Sequence, residues 1–523
     1  MFSPINIIIA LLWLASALAD FFEYTYIWQL KEYRMDRFRD FLTTVQGQKF
    51  LNRYQFFWRS FLSIIIFFWP INDIVVLKYL LITLFFVDFI ILLYHKVKRG
   101  LIRPVFTHKA ILIILVSLLS ESLIFIYSQD WILLLLLLII RFFTLSFWVW
   151  IVNQPTIWIK KYLIKKATKK INRLKNLTVI GITGSYGKST VKKFLAHILS
   201  QKFSVIHTPG NINTEIGVAK FILTNDFSDK NIFIVEMGAY TIGEIKLLCN
   251  MVKPKVGILT AINEQHLSLF GSIKNTQKAK YELLESLPTD GLAITNGDNP
   301  YCTEFLYKLK SQIKTFGFEK ENNPDLLVTD INTTPEKTSF SYTYLGKEYQ
   351  IESNILGDHN ALNLGACKIV ADFFKMNNNE IKEAIKTLPR ITEPIKYGNT
   401  TIIDDSYNSN PDGFKAALNF LTTFKNKRKI IVTRGMLELG KETDYLHEKI
   451  AGEISFVADE LIIIRPDFAD ALKKGIVPKF GTKVRTIFND QDLLNYFKKI
   501  KKEEAVILLE NKIPTIVMNE INK

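Results

Sequence analysis

Cysteine is almost missing from this chain: three residues, Cys249, Cys302 and Cys367, occur among 523, and no two form a Cys-x-x-Cys pair. That excludes a disulfide framework and a structural zinc site, and it fits a reducing compartment. Negative charge is also short, with 50 Asp and Glu against 66 Lys and Arg, which leaves a formal net charge of +16. Such an excess suits either nucleic acid or an anionic membrane face, and the 48% hydrophobic content decides for the membrane. No internal repeat or low-complexity segment is present, so repeat arrays are excluded. The length corresponds to three or so domains at roughly 100–200 residues each.

Charge is nearly absent from apolar runs at about 5–19, 55–70, 73–94, 109–127 and 131–152. Most of them approach the ~20 residues needed to cross a hydrocarbon core. Between the first two lie Lys31, Arg34, Arg37, Arg39, Lys49 and Arg53, and after the third lie Lys96, Lys98, Arg99, Arg103 and Lys109. The Pro70–Asp73 and Ser128–Asp130 connections have no basic residue. The positive-inside rule then predicts a multi-pass cell-membrane region in residues 1–155 with the N-terminus outside, five crossings, and everything after Val152 cytoplasmic. Ala17-Leu18-Ala19 resembles a signal-peptidase site, but no Lys or Arg precedes it, and cleavage there would put the basic 31–53 segment on the wrong side.

Residues 158–175, WIKKYLIKKATKKINRLK, carry eight basic residues and no acidic one. Ile164, Ala167, Ile171 and Leu174 recur at helical spacing with the lysines opposite. Residues 156–176 therefore read as a basic interfacial linker, either a helix lying on membrane lipid or a charged stop-transfer flank. Arg141 interrupts the last apolar run. It is expected to face other helices or a polar lipid group, or else to snorkel to the interface.

From 177 onward the pattern changes to short β-branched runs alternating with helical ones. Leu177–Ile182, Ile232–Glu236, Val256–Thr260 and Gly291–Asn296 read as strands with polar ends, and Val191–Leu199 as a helix. A second block from 395 repeats this with Thr401–Asp405, Lys429–Thr433, Glu460–Ile464 and Ala505–Leu509 as strands and Asp412–Phe424 as a helix. Continuous apolar strands between helices predict parallel sheets covered on both faces. The fold class is thus an α-helical transmembrane region followed by α/β: a P-loop, parallel-sheet central domain at 177–394 and a Rossmann-like C-terminal domain at 395–523. Asn377-Asn-Asn marks a turn, and 319–325 a loop.

The first of these strands feeds Gly181-Ile-Thr-Gly-Ser-Tyr-Gly-Lys-Ser-Thr190. The usual phosphate loop has a glycine five residues before its Gly-Lys, where this sequence has Ile182. Even so, a strand, a glycine turn and a helix start are what a phosphate cradle requires: backbone N–H groups of Gly184 to Lys188 facing the phosphates, Lys188 reaching the terminal ones, and Ser189 on Mg²⁺. The next strand ends at Glu236 and the one after leads to His266, a carboxylate and an imidazole able to share a metal. Taken alone, His266 is more often a solvent-facing loop residue and Lys280 an exposed lysine. A transporter ATPase would need a strand ending in a metal-binding Asp and a second nucleotide half, and neither is present.

Four stretches together resemble the Mur ligases: Gly181–Thr190, Thr208-Pro-Gly-Asn-Ile-Asn-Thr-Glu-Ile-Gly217, Glu236–Ile245 and Gly357-Asp-His-Asn-Ala-Leu-Asn363. Asp404-Asp-Ser-Tyr-Asn-Ser-Asn-Pro411 and Gly435-Met-Leu-Glu-Leu-Gly440 resemble the branch that adds D-alanyl-D-alanine, MurF. The likeness covers about 177–523, and the shorter Thr-Gly-x-x-Gly-Lys-[Ser/Thr] loop is this family's form. It implies an ATP-dependent carboxylate–amine ligase. ATP would be bound through Thr183, Gly184, Ser185, Tyr186, Gly187, Lys188, Ser189 and Thr190. Asn360 and Asn363 would lie near the adenine and Asp405 near the ribose.

The resemblance further implies two Mg²⁺ ions, one on Ser189 and Glu236, the other on His266 and supported by a carbamylated Lys280. Lys188, His266, Lys280 and Arg390 would form the catalytic set, with Arg390 reaching the γ-phosphate from the domain junction. His447 matches, more weakly, a histidine near the site. The implied partners are ATP, a UDP- or lipid-linked muropeptide and an amino acid or dipeptide. Two departures bear on the substrate. The uridine-gripping domain of soluble MurF enzymes is replaced by the apolar runs, and Leu508-Leu-Glu-Asn-Lys-Ile-Pro514 stands where MurF has Lys-Gly-Ser-Arg.

Overall fold

A computed structural model describes residues 4–43, 47–48, 50, 59–61, 64, 74–99, 103–128, 131–263, 270–390, 394–406, 410–437 and 439–522. Two compact units divide the chain, residues 1–162 and 163–523. His266, most of the expected 55–70 span and the 70–73 connection fall outside the described residues.

The first unit is helical. Pro4–Leu30, Ile74–Arg99, His108–Ser128 and the start of Trp131–Ile171 coincide with the expected runs, and the shorter Met35–Thr43 lies between the first two. Among the described residues, Pro4–Leu30 and Leu136–Ile171 are long and apolar enough to cross a membrane, judged by length and composition. Arg141 does turn inward to other helices. It is fully buried, paired with Asp20 at 2.8 Å and Glu121 at 3.3 Å, and donates to the Ser16 hydroxyl at 3.1 Å. Arg59 adds a second buried guanidinium, bonded to Asp20 at 2.9 Å and to Asp88. In an apolar bundle these charges persist only because each has opposite charge within reach.

The 156–176 segment differs from its sequence reading. Instead of a separate linker, Trp131–Ile171 is one helix that runs through Pro155. Its stripe of Ile164, Ala167, Ile171 and, just beyond, Leu174 packs with Val179, Val218 and Phe233 in the apolar core of the second unit. A stripe at 3.6-residue spacing fits lipid or protein equally well, and here protein covers it.

The second unit holds two sheets. The first has the order β2-β3-β1-β4-β5-β6-β7-β8-β9, with β1 (Thr178–Thr183), β2 (Val205–His207), β3 (Ile232–Glu236), β4 (Val256–Leu259), β5 (Leu292–Asn296) and β6 (Gln312–Gly317) running parallel. Alternate residues of β1 enter different cores: Ile180 and Ile182 join one, Val179 the other. Helices therefore cover both faces, which is why its strands are continuously apolar.

The strands β7 (Leu326–Thr333), β8 (Thr338–Tyr344) and β9 (Lys347–Ser353) extend this sheet as an antiparallel meander. They escape the sequence reading because β7 and β9 mix buried residues with exposed ones and β8 sets Ser and Thr between its aromatics, so none presents an unbroken apolar run. Asn377, read as a turn, caps the helix Asn378–Lys386 in a reciprocal arrangement with Glu380, and the 319–325 loop holds a 3₁₀ turn at Lys320–Asn322.

The second sheet has the order β10-β11-β15-β12-β13-β14, formed by β10 (Ile395–Tyr397), β11 (Thr400–Asp405), β12 (Arg428–Thr433), β13 (Glu460–Ile463), β14 (Lys483–Thr486) and β15 (Ala505–Glu510). Only β10 is antiparallel to its neighbour among the described strands of this sheet. The phosphate loop after β1, Glu236 at the end of β3 and Asp405 at the end of β11 fall at carboxyl ends of parallel strands, where open α/β sheets bind ligands.

Candidate active site

The loop after β1 is set by two glycines. Gly184 has φ +151°, and a Cβ there would lie 1.9 Å from Thr260 Oγ1 at the end of β4. Gly187 has φ +79°, directly precedes the helix Lys188–Leu199, and would bring a Cβ to 3.0 Å from Asn363 Oδ1. The loop backbone thus lies against the Thr260 and Asn363 side chains in a conformation that favours glycine, and a helix N-terminus opens beside it.

β4 fastens this loop. Ser185 N–H donates to the Ala261 carbonyl at 2.7 Å, its hydroxyl accepts from Asn263 N–H at 3.0 Å, and the Thr260 hydroxyl donates to the Tyr186 carbonyl. The expectation that every N–H from Gly184 to Lys188 faces phosphate is therefore corrected at Ser185, whose N–H is used within the fold. Thr183 is also structural: its buried hydroxyl donates to the Met237 carbonyl at 2.9 Å. Lys188 curls back on its own loop, donating to the carbonyls of Gly184 at 2.6 Å and Ser185 at 3.2 Å. Burial pushes its pKa down against the pull of Glu236. A lysine holding carbonyls in this way can exchange them for phosphate oxygens, a stronger acceptor.

Glu236, at the end of β3, is the centre of the polar network. Its Oε2 accepts from Ser189 Oγ and Lys192 Nζ, both at 2.8 Å, and its Oε1 from Asn213 Nδ2 at 3.1 Å. Burial opposes ionisation, yet the Lys192 bond and charge, with Ser189 and Lys188, hold the carboxyl below its ordinary range. Among the described residues no group of three or more His, Cys, Asp or Glu converges to hold a metal unaided. A hydroxyl and a carboxylate oxygen 2.8 Å apart do suit Mg²⁺, which takes few protein ligands and completes its shell with phosphate and water.

Lys280 lies on the inner side of the helix Ile273–Glu285, 4% exposed, so it is no surface lysine. Burial first, and then the charge of Lys188, depress its pKa well below the ordinary lysine value. A lysine whose pKa is lowered in this way gives up its proton more readily, and the deprotonated amine is the form that reacts with CO₂ to give a carbamate.

The residues expected at the adenine and the ribose lie apart, Asn360 and Asn363 on the helix Asp358–Phe373 and Asp405 in the second sheet. Asn360 donates to the Leu356 carbonyl at 2.8 Å and accepts from Asn363 Nδ2 at 3.3 Å, which leaves Asn363 Oδ1 facing Gly187. Asp405 ends β11 opposite Glu510 of β15, and burial followed by the charge of Asp404 pushes its pKa up to about 6. Asn263 joins the two sheets, donating to Asn410 Oδ1 at 3.2 Å and Asp412 Oδ2 at 2.7 Å at the start of the helix Pro411–Thr422.

Two expected residues stand elsewhere. Arg390 is exposed and donates to the Glu336 carbonyl at 2.8 Å in the β7–β8 turn. His447 is fully buried in the C-terminal domain: Nε2 accepts from Met436 N–H at 2.8 Å, Nδ1 donates to the Thr443 carbonyl at 2.6 Å, and the ring stacks on Phe468. With both nitrogens committed and its pKa lowered by burial, it locks the Gly435–Met436 turn and has no free nitrogen for acid–base work. Sequence reasoning passed over Lys192, Asn213, Asn263 and Asp412. Lys192 was legible as a charge set among Val191, Phe194 and Leu195 on the apolar side of its helix; the others lie beside motifs already quoted but show no role until the chain folds.

Two family models match the chain, the Mur ligase middle domain over residues 182–371 and the Mur ligase, glutamate ligase domain over 390–510. The UDP-N-acetylmuramoyl-tripeptide--D-alanyl-D-alanine ligase of Bacillus subtilis is 32% identical over 53% of this chain and 60% of its own length. The enzyme of the same name from Buchnera aphidicola subsp. Baizongia pistaciae is 30% identical over 66% of this chain and 72% of its own. The chain therefore spans less than two thirds of the first relative. Among solved structures, MurF ligase from Thermotoga maritima in complex with ADP superposes with a TM-score of 0.60 at 24% identity, covering 69% of this chain and 82% of that one.

Proposed function

Since the chain belongs to the Mur ligase family, we propose that it is an ATP-dependent carboxylate–amine ligase of cell-wall precursor synthesis, anchored to the membrane by its N-terminal helices. It joins D-alanyl-D-alanine, or another amino acid or dipeptide, to the peptide carboxylate of a UDP- or lipid-linked muropeptide. The observation that carries this reading is Lys280: a lysine buried near Lys188 of the phosphate loop, with its pKa lowered, serves no purpose in an ordinary phosphate-loop ATPase, whereas a carbamate there would support a metal.

A carboxylate is a poor electrophile, so the γ-phosphoryl group of ATP first transfers to it, and the incoming amine then displaces phosphate through a tetrahedral intermediate. Mg²⁺, when bound, supplies positive charge to the phosphates and the approaching carboxylate. Lys188 leaves its two carbonyls for the phosphates, and the free N–H groups of the loop hold them in place. Ser189 and Glu236 would hold one metal, and His266 with a carbamylated Lys280 would hold the second. Asn363, against Gly187, and Asn360 fix the adenine, and Asp405 the ribose. Arg390 swings from the Glu336 carbonyl to the γ-phosphate as the two sheets close and water is excluded. The Asn263 bonds to Asn410 and Asp412 provide the pivot.

The five-crossing topology with cytoplasmic catalytic domains fits the basic connections and the two helices long enough to span. With helices long and apolar enough to span ahead of the two matched domains, a lipid-linked donor is the substrate this architecture favours. The test supplies the detergent-solubilised full chain with ATP and Mg²⁺, a UDP-linked or lipid-linked tripeptide, and D-alanyl-D-alanine or single amino acids. ADP release that requires both donor and acceptor is expected, and the productive pair identifies the substrate. ATP turnover without them, or no turnover with any pair, rejects the ligase.

A further inference from the structure

Lys192 is 1% exposed and carries its charge into the centre of the second unit, a costly position that must be compensated. Its Nζ makes two bonds, to Glu236 Oε2 at 2.8 Å and to the Gly210 carbonyl at 2.7 Å. Both partners matter. Glu236 is the sole carboxylate on the Ser189 hydroxyl among the described residues, and Gly210 belongs to the 208–217 segment, which is itself tied to the end of β3. Thr208 Oγ1 accepts from Glu236 N–H at 3.2 Å, Asn213 Nδ2 donates to Glu236 Oε1, and Gly238 N–H donates to the Asn213 carbonyl at 2.9 Å. One ammonium group thus joins the phosphate-loop helix, the metal-binding carboxylate and the 208–217 segment.

We infer that Lys192 is a built-in counter-cation that occupies Glu236 until nucleotide arrives, and so makes divalent-metal binding depend on nucleotide. The inference rests on the assignment of Ser189 and Glu236 to Mg²⁺. Without nucleotide, Glu236 Oε2 already accepts from a hydroxyl and an ammonium, and Lys188 adds a further positive charge nearby. A bare divalent ion entering there meets two lysines and a carboxylate already satisfied by its own salt bridge. Nucleotide phosphates reverse that balance, because they draw Lys188 away and add several negative charges. Lys192 remains on the Gly210 carbonyl and keeps the 208–217 segment in place while Glu236 turns to the metal. Lys192 acts through Glu236 and is a positioning residue.

Mn²⁺ binding to the detergent-solubilised full chain, read by electron paramagnetic resonance, tests this with and without a non-hydrolysable ATP analogue. Wild type is expected to bind Mn²⁺ tightly only with the analogue, and Glu236→Gln to lose that site. Lys192→Met should bind Mn²⁺ without nucleotide about tenfold more tightly than wild type or better, as removal of a full charge next to the ion requires. Lys192→Arg should restore nucleotide dependence, which a purely structural role does not predict. Lys192→Gln carries the same expectation as Lys192→Met and retains a donor for Gly210 should the Met variant fail to fold. Unchanged nucleotide-free affinity in the neutral variants, with the wild-type site still lost in Glu236→Gln, overturns the inference and leaves the metal assignment standing. Full nucleotide-dependent binding by Glu236→Gln removes the metal assignment itself.

Discussion

The proposed carbamylation requires Lys280 to lose its proton, and its place on the inner side of the helix Ile273–Glu285 favours that loss through burial and the neighbouring Lys188. Incubation with ¹³C-labelled bicarbonate should therefore give one carbamate resonance that is absent from Lys280→Met, and that variant should lose ligase activity. The uncarbamylated form also has a pH signature. Between its lowered folded value and the ordinary 10.5, the unfolded lysine holds a proton that the folded one lacks, so stability rises with pH through that window. Chemical denaturation at constant low CO₂ should show this slope in wild type and its loss in Lys280→Met. Asp405 is shifted the opposite way: raised to about 6, it favours the fold while protonated, and that contribution fades as pH rises through 6. As the ribose acceptor it should bind nucleotide better above pH 6 than below, and Asp405→Asn should flatten the profile. The sequence marked both residues through their motifs. It could not show their proton state, which depends on what surrounds them in space. His447 marks the converse limit, since a pattern match cannot reveal that both ring nitrogens are already bonded within the domain.

At the scale of elements, parallel strands with unbroken apolar character were legible from 177 onward, and so was the phosphate loop between β1 and its helix. The alternating strands β7 to β9 and the short β2, β10 and β14 were not, because weak or half-exposed patterns do not stand out against loops. The stripe of Ile164, Ala167 and Ile171 was legible as a helix face but not as to what covers it. Since Ala167 is fully buried with Val179 and Val218, Ala167→Asp should destabilise the second unit by about 3–5 kcal/mol, the cost of an unpaired buried charge. Thermal unfolding and limited proteolysis in detergent would register it. A segment lying on lipid would instead show weaker membrane association with unchanged unfolding.

At the scale of the whole molecule, a helical unit with buried ion pairs precedes a two-sheet unit that presents a phosphate loop and a carboxylate at its strand ends and a buried lysine on a helix. Membranes from cells expressing the full chain should retain it through alkaline carbonate washing, and Arg141→Leu should lower the yield of folded protein by leaving Glu121 unpaired in the bundle. In the proposed reaction the chain activates a carboxylate by phosphorylating it. The most direct measurement uses a muropeptide donor whose terminal carboxylate is labelled with ¹⁸O, together with ATP, Mg²⁺ and the amine acceptor, and reads the released phosphate by mass spectrometry. Transfer through an acyl phosphate places one ¹⁸O in each phosphate released. Phosphate without label, at the same extent of ATP consumption, means that water has attacked ATP and contradicts the account.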